Sequence, residues 1–246
     1  MAPTNLNSLP MKWIFFLFVP FVFVAAVQTN ELIVRKELDA IAASMSSKKA
    51  YSCTITTRMF EKPGGNASYS ETVNLKKKDN CYLSSSPNTI AIRNKQFLVT
   101  VLHDSKTVIF QKAIIGQDPL KKGLEADMKS FFQNVSQCSV NPTDDIYTSI
   151  TLIYKSGQFK KLEIKYHSKS KIISRMRFFP NHESFDDAGN GPLGGKPFDH
   201  WDIVYSGFDF KTNLSENDFS VHEIVRVDKQ KFTLTPAYSR YVLIVR

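Results

Sequence analysis

Phe159-Lys160-Lys161-Leu162-Glu163-Ile164-Lys165-Tyr166-His167 is the stretch on which the fold turns. Leu162, Ile164 and Tyr166 alternate with Lys161, Glu163 and Lys165. A period of two makes a β-strand with one apolar and one charged face. Lys155-Ser156-Gly157-Gln158 precedes it and Ser168-Lys169-Ser170 follows it. Both are short polar connections of the kind that join hairpin strands. With strands expected at 146–155 and 171–179, residues 146–179 read as an antiparallel meander.

The same period extends outward. In Tyr51–Lys62, Cys53, Ile55, Thr57 and Met59 share one face, and Pro63-Gly64-Gly65-Asn66 is a turn signal. Tyr69, Glu71, Val73 and Leu75 then alternate with Ser70, Thr72, Asn74 and Lys76, completing a hairpin. Further strands are expected at 81–85, 89–93, 96–102 and 106–112, and again at 199–208, 221–228, 231–235 and 240–246. Phe97–Leu102 is almost continuously apolar, so that strand should be covered on both faces.

Only two segments change to helical period. Val34, Leu38, Ile41 and Met45 form one stripe in a helix over about 30–46, with Thr29 or Asn30 as cap. Asp118-Pro119 opens a second, in which Leu120, Leu124, Met128, Phe131, Phe132 and Val135 share an arc. The expected architecture is mainly β (α+β). It is a single large curved antiparallel sheet, an unclosed half-barrel of about eleven strands, with two amphipathic helices as lid. Such a wide sheet under so few helices leaves an apolar cavity, with Leu38, Ile41, Leu124, Met128, Phe131 and Phe132 as its expected ligand-lining residues.

Ile14–Val27 is an uncharged apolar run preceded by Lys12 and carrying the small residues Val24-Ala25-Ala26 near its end. It is shorter than the roughly 20 residues of a membrane-spanning helix. This is the layout of a secretory signal peptide, expected over 1–26, with Met11 as an alternative start. The domain expected after it is 27–246, in one piece, located in the periplasm.

The order of elements resembles that of the LolA-like outer-membrane lipoprotein carrier superfamily. A signal peptide and helix lead into a long hairpin with a Gly-rich tip, then a meander ending in Asp104–Phe110. A Pro-started amphipathic helix, a three-strand meander and a strand with Ile203-Val204-Tyr205-Ser206 follow. The tail, Phe208-Asp209-Phe210-Lys211-Thr212-Asn213 and Asp218-Phe219-Ser220, is similar to uncharacterised Bacteroidetes-type members. The resemblance spans about 30–246 and implies an unclosed antiparallel barrel that carries lipoprotein acyl chains across the periplasm. Arg58 on the first strand is not assigned the family's basic-residue role, and the 180–197 loop is longer than the family's compact pattern.

Other chemistries are weighed from the residues. The chain of 246 residues is 42% hydrophobic and 22% charged, which makes it globular. No Gly-x-Ser-x-Gly occurs, and His103, His167, His182, His200 and His222 are scattered, so no catalytic residues are assigned. His182, Glu183, Asp186, Asp187, Asp199, His200 and Asp202 flank the long loop but lack EF-hand spacing, so no metal site is assigned. The formal charge of +9 is spread over short runs such as Lys76-Lys77-Lys78, Lys121-Lys122 and Lys160-Lys161. Such short, dispersed runs read as solvated strand and helix faces, with attraction to an anionic membrane surface as the functional alternative and no nucleic acid expected as partner. Cys53, Cys81 and Cys138 permit at most one disulfide. The Asn-x-Ser sequons at Asn66, Asn134 and Asn213 are coincidental in a bacterial source.

The expected function is therefore that of a non-enzymatic periplasmic binding protein. It would hold an acyl chain or lipoprotein, work as a monomer without cofactor and touch membranes transiently. The alternative is an interaction or sensor protein that binds a protein partner through a sheet edge or the 180–197 loop.

Overall fold

The computed structural model describes residues 29–113, 132, 134–181, 198–229 and 231–246. Helix α1 (Thr29–Ser46) leads into β1 (Ala50–Phe60), β2 (Ala67–Lys78), β3 (Cys81–Ser85), β4 (Thr89–Arg93), β5 (Phe97–Leu102) and β6 (Thr107–Lys112). After 114–131, which lies outside the described residues, come β7 (Val135–Pro142), β8 (Tyr147–Tyr154), β9 (Phe159–His167) and β10 (Ile173–Pro180). β11 (His200–Asp209), β12 (Val225–Asp228), β13 (Lys231–Leu234) and β14 (Val242–Val245) complete the chain.

Twelve of these strands form one unclosed curved sheet in the order β14-β6-β5-β4-β3-β2-β1-β11-β10-β9-β8-β7. The mainly β, open-sheet expectation holds, with corrections. The sheet has twelve strands instead of about eleven, and β12 pairs with β13 as a separate hairpin. It is not wholly antiparallel, because β14 returns to the edge and runs parallel to β6. The expected strand at 221–228 starts only at Val225, since a short 3-10 turn at Glu216–Phe219 and the bends after it carry the chain across the sheet first.

Of the two lid helices expected, α1 is the one described in full; of the second, Phe132 alone is described, in helical conformation. The Asp118 helix falls on 114–131, outside the described residues. The last residue of its expected arc, Val135, instead opens strand β7, which also contains Cys138. Helical period and strand period overlap at the boundary, so Phe131, Phe132 and Val135 alone could not locate it.

Register explains how the sheet selects its faces. Cys138, Leu152, Leu162, Phe178, Trp201, Met59 and Tyr69 are lateral neighbours across β7, β8, β9, β10, β11, β1 and β2. The adjoining row is Ser139, Thr151, Glu163, Arg177, Asp202, Arg58 and Ser70. One row is apolar or aromatic throughout and the other polar throughout. A slip of one residue would exchange them, so burial of one face holds the register.

The apolar row faces α1, and this is the inner face. Val34, Leu38 and Ile41 are buried there with Ile55, Ile150, Ile164 and Ile203. At β4–β6 the outer face becomes apolar as well. Ile92, Val99, Val101, Val108 and Phe110 pack under Leu214, Phe219, Val221, Ile224 and Val225 of the C-terminal segment. Val99 is therefore buried on one side of β5 while Thr100 is buried and Leu98 packs on the other, as the almost continuous apolar run indicated.

Candidate functional site: the inner face and its aromatic ends

The inner face between β2 and β8 is the candidate ligand surface. At one end Trp201 meets Phe159, Phe178 and Phe198 with ring centroids 5.3, 5.1 and 5.8 Å away. Met59 and Tyr69 continue this line toward solvent, and Tyr69 is 38% exposed. Its hydroxyl donates to Glu71 at 2.7 Å, which leaves the ring as the apolar surface at the end of the row.

The other end is built by a bulge. Thr54 pairs with Ser206 and Ser52 with Asp209, so Gly207 and Phe208 together oppose Cys53. Gly207 has φ +61°, a left-handed conformation that suits glycine. Strict alternation from Tyr205 would have sent Phe208 and Phe210 to the outer face. The extra residue returns both to the side of Tyr205. Phe208 stacks on Tyr205 at 6.5 Å and on Phe210 at 5.4 Å, and Tyr51 lies 6.1 Å from each phenylalanine. Phe210 is partly exposed, with the Lys48 ammonium 5.3 Å from its ring centre. Sequence reading passed over this group; the cue was a glycine inside Tyr205-Ser206-Gly207-Phe208.

Helix α1 is fastened across this face by polar bonds at its rim. Tyr166 Oη and Lys171 Nζ both donate to Glu37 Oε2, at 2.7 and 2.5 Å. Burial pushes the Glu37 carboxyl up, but the Lys171 and Tyr166 hydrogen bonds outweigh it and hold it below the ordinary range. Ser44 Oγ donates to the Ser170 carbonyl at 2.7 Å.

Of the residues expected to line the ligand, Leu38, Ile41 and Phe132 are brought together in the buried inner cluster. Leu124, Met128 and Phe131 lie outside the described residues. Arg58 is on the opposite, outer face, exposed and beside Asp202. Asp202 is held by Arg177, and His200 by Asp199 at 2.6 Å. His182, Glu183, Asp186 and Asp187 fall outside the described residues, and no group of three metal-ligating side chains occurs among the described ones. The three cysteines are free thiols. Cys81 packs with the outer-face core while Cys53 and Cys138 belong to the inner one, so the sheet separates it from both. No described helix is long and apolar enough to cross a membrane.

No family model and no curated protein matches the chain. Among solved structures it is similar to an uncharacterized conserved protein from Thermus thermophilus, at 9% identity and TM-score 0.47, covering 87% of this chain and 99% of that one. It is similar to a LolA superfamily protein from Nitrosomonas europaea, at 11% identity and TM-score 0.32, covering 74% and 96%. It is also similar to the lipoprotein LppX of Mycobacterium tuberculosis, at 10% identity and TM-score 0.42, covering 75% and 100%. At these scores the likenesses carry no functional argument. The chain's own structure is an open, almost wholly antiparallel sheet with a helix on its inner face.

Proposed function

We propose that residues 27–246 act as one extracytoplasmic, non-enzymatic binding unit that holds an acyl chain, free or on a lipoprotein, against the inner face. The observation that carries this reading is the apolar row running without interruption from Cys138 to Tyr69 over seven strands. Its last member is half out of the core. Burial of an alkyl chain on such a surface contributes about 25 cal/mol per Å², with no directional bond required. Leu38, Ile41 and Phe132, together with Leu124, Met128 and Phe131, are the proposed wall opposite the sheet. The Tyr51, Phe208 and Phe210 group beside Lys48 suits transient contact with a membrane interface, where aromatic rings and lysine ammonium groups sit at headgroup level.

The test is mass spectrometry of an organic extract of the protein recovered from periplasm without detergent, alongside uptake of a fluorescent fatty acid. A stoichiometric lipid, or saturable uptake weakened several-fold by Tyr69→Asp, supports the reading. A lipid-free protein that takes up no probe overturns it.

A further inference from the structure

The two edges of the twelve-stranded sheet differ in kind. β7 carries Ser136, Gln137, Ser139 and Asn141, a bulge between Val135 and Gln137, and Pro142 at its end. Polar side chains, a bulge and a proline are the devices by which an edge refuses another strand. β14 has none of these. Val242, Ile244 and Val245 are 63%, 37% and 50% exposed, three large apolar side chains in one four-residue strand.

Among the described strands β14 is hydrogen-bonded to β6 alone. Val242 N–H donates to the Lys106 carbonyl at 2.8 Å and Arg246 N–H to the Phe110 carbonyl at 3.0 Å. In a parallel ladder the residues that bond a neighbour alternate, so Val242, Ile244 and Arg246 address β6. Leu243 and Val245 therefore direct their N–H and C=O groups away from the sheet. The flanks are cationic. Arg240 and Arg246 are exposed at the two ends of the strand, and Lys106 and Lys112 are exposed at the ends of β6. Two further arginines, brought by a second copy of this chain, would meet repulsion there.

We propose that β14 is a strand-addition site for an extended peptide with apolar alternate residues and acidic flanks. The peptide would exchange backbone hydrogen bonds with Leu243 and Val245, set apolar side chains beside Val242 and Ile244, and place carboxylates against Arg240 and Arg246. This gives the sheet-edge alternative an address that does not depend on lipid binding. The 180–197 loop falls mostly outside the described residues.

The probe is a fluorescein-labelled nonapeptide, Glu-Asp-Val-Thr-Ile-Thr-Val-Asp-Glu, titrated into the full chain and followed by anisotropy. Val245→Pro removes one outward N–H and leaves both bonds to β6 intact. It should weaken binding at least ~10-fold, as should N-methylation of alternate peptide amides. Val242→Lys, which alters no backbone group, serves where Val245→Pro fails to fold. Arg240→Glu with Arg246→Glu should reverse the preference toward a Lys-flanked peptide. No saturable binding, or binding indifferent to Val245→Pro and to N-methylation, overturns the proposal. So does sedimentation showing a dimer that Val242→Lys dissolves, which would make a second copy the occupant.

Discussion

Arg177 donates from Nε to Asp202 Oδ1 at 2.6 Å and from Nη2 to Oδ2 at 2.8 Å, a bidentate pair across β10 and β11. It lies one residue away from Trp201 and Phe178, the aromatic pair on the opposite face at the same strands. The Asp202 side chain is only 8% exposed, so its charge is tolerated because the guanidinium fork satisfies both oxygens.

Arg177→Ala should therefore cost roughly 2–4 kcal/mol, since it strands a buried carboxylate. Arg177→Lys should recover part of that loss, having one point donor in place of a fork. The double change Arg177→Met/Asp202→Leu should be milder than Arg177→Ala. Urea unfolding followed by Trp fluorescence measures all three.

Gly207→Ala tests the bulge. A Cβ at this position meets nothing closer than Thr54 Oγ1 at 4.0 Å, so the cost is backbone strain at φ +61° and not a clash. A loss of about 1–2 kcal/mol is expected. Fatty-acid uptake should fall with it if the Tyr205–Phe208–Phe210 group borders the ligand. Thermal unfolding together with the uptake assay separates the two effects.

Asp218 couples the C-terminal segment to pH. The Lys76 hydrogen bond, then those from Ser215 N–H and Oγ, hold its carboxyl at about 2 against an ordinary 3.8. A depressed carboxylate pKa stabilises the folded state above pH 3.8 and ceases to do so as pH falls through about 2. Hydrogen exchange around Leu214–Val221 should accelerate across that window. In Asp218→Asn the exchange should already be faster at pH 5 and should change less on acidification.

Burial pushes the Cys53 thiol up to about 12, and burial raises Cys81 and Cys138 as well. Thiolate is the reactive form, so at pH 8 an aromatic disulfide reagent should leave Cys53 unmodified until the chain unfolds. Cys81 and Cys138, both partly exposed, should react first. Mass mapping of modified peptides against urea concentration shows the order.

Much of the fold was legible because its strands obey a local rule. Lys161 to Tyr166 announce a two-faced strand, and the α1 stripe of Val34, Leu38 and Ile41 announces its buried side, where all three residues are found. The candidate site was less legible. Leu38, Ile41 and Phe132 were identified as apolar positions, whereas Trp201, Phe178 and Phe159 meet only through strand pairing between distant segments. Phe208 and Phe210 needed the bulge. Nor could periodicity say that β4–β6 would be covered on their outer face by residues more than a hundred positions later.

What this sequence determines by itself is local. It specifies which stretches are extended, where they turn and which side of each is apolar, because period, turn residues and side-chain polarity act over a few neighbours. The tertiary structure alone decides that Cys138 to Tyr69 become one continuous surface, that β14 joins β6 in parallel at an open edge, and that Gly207 reverses two aromatic rings. Those outcomes follow from pairing register and long-range burial, whose free energy depends on partners that no local window contains.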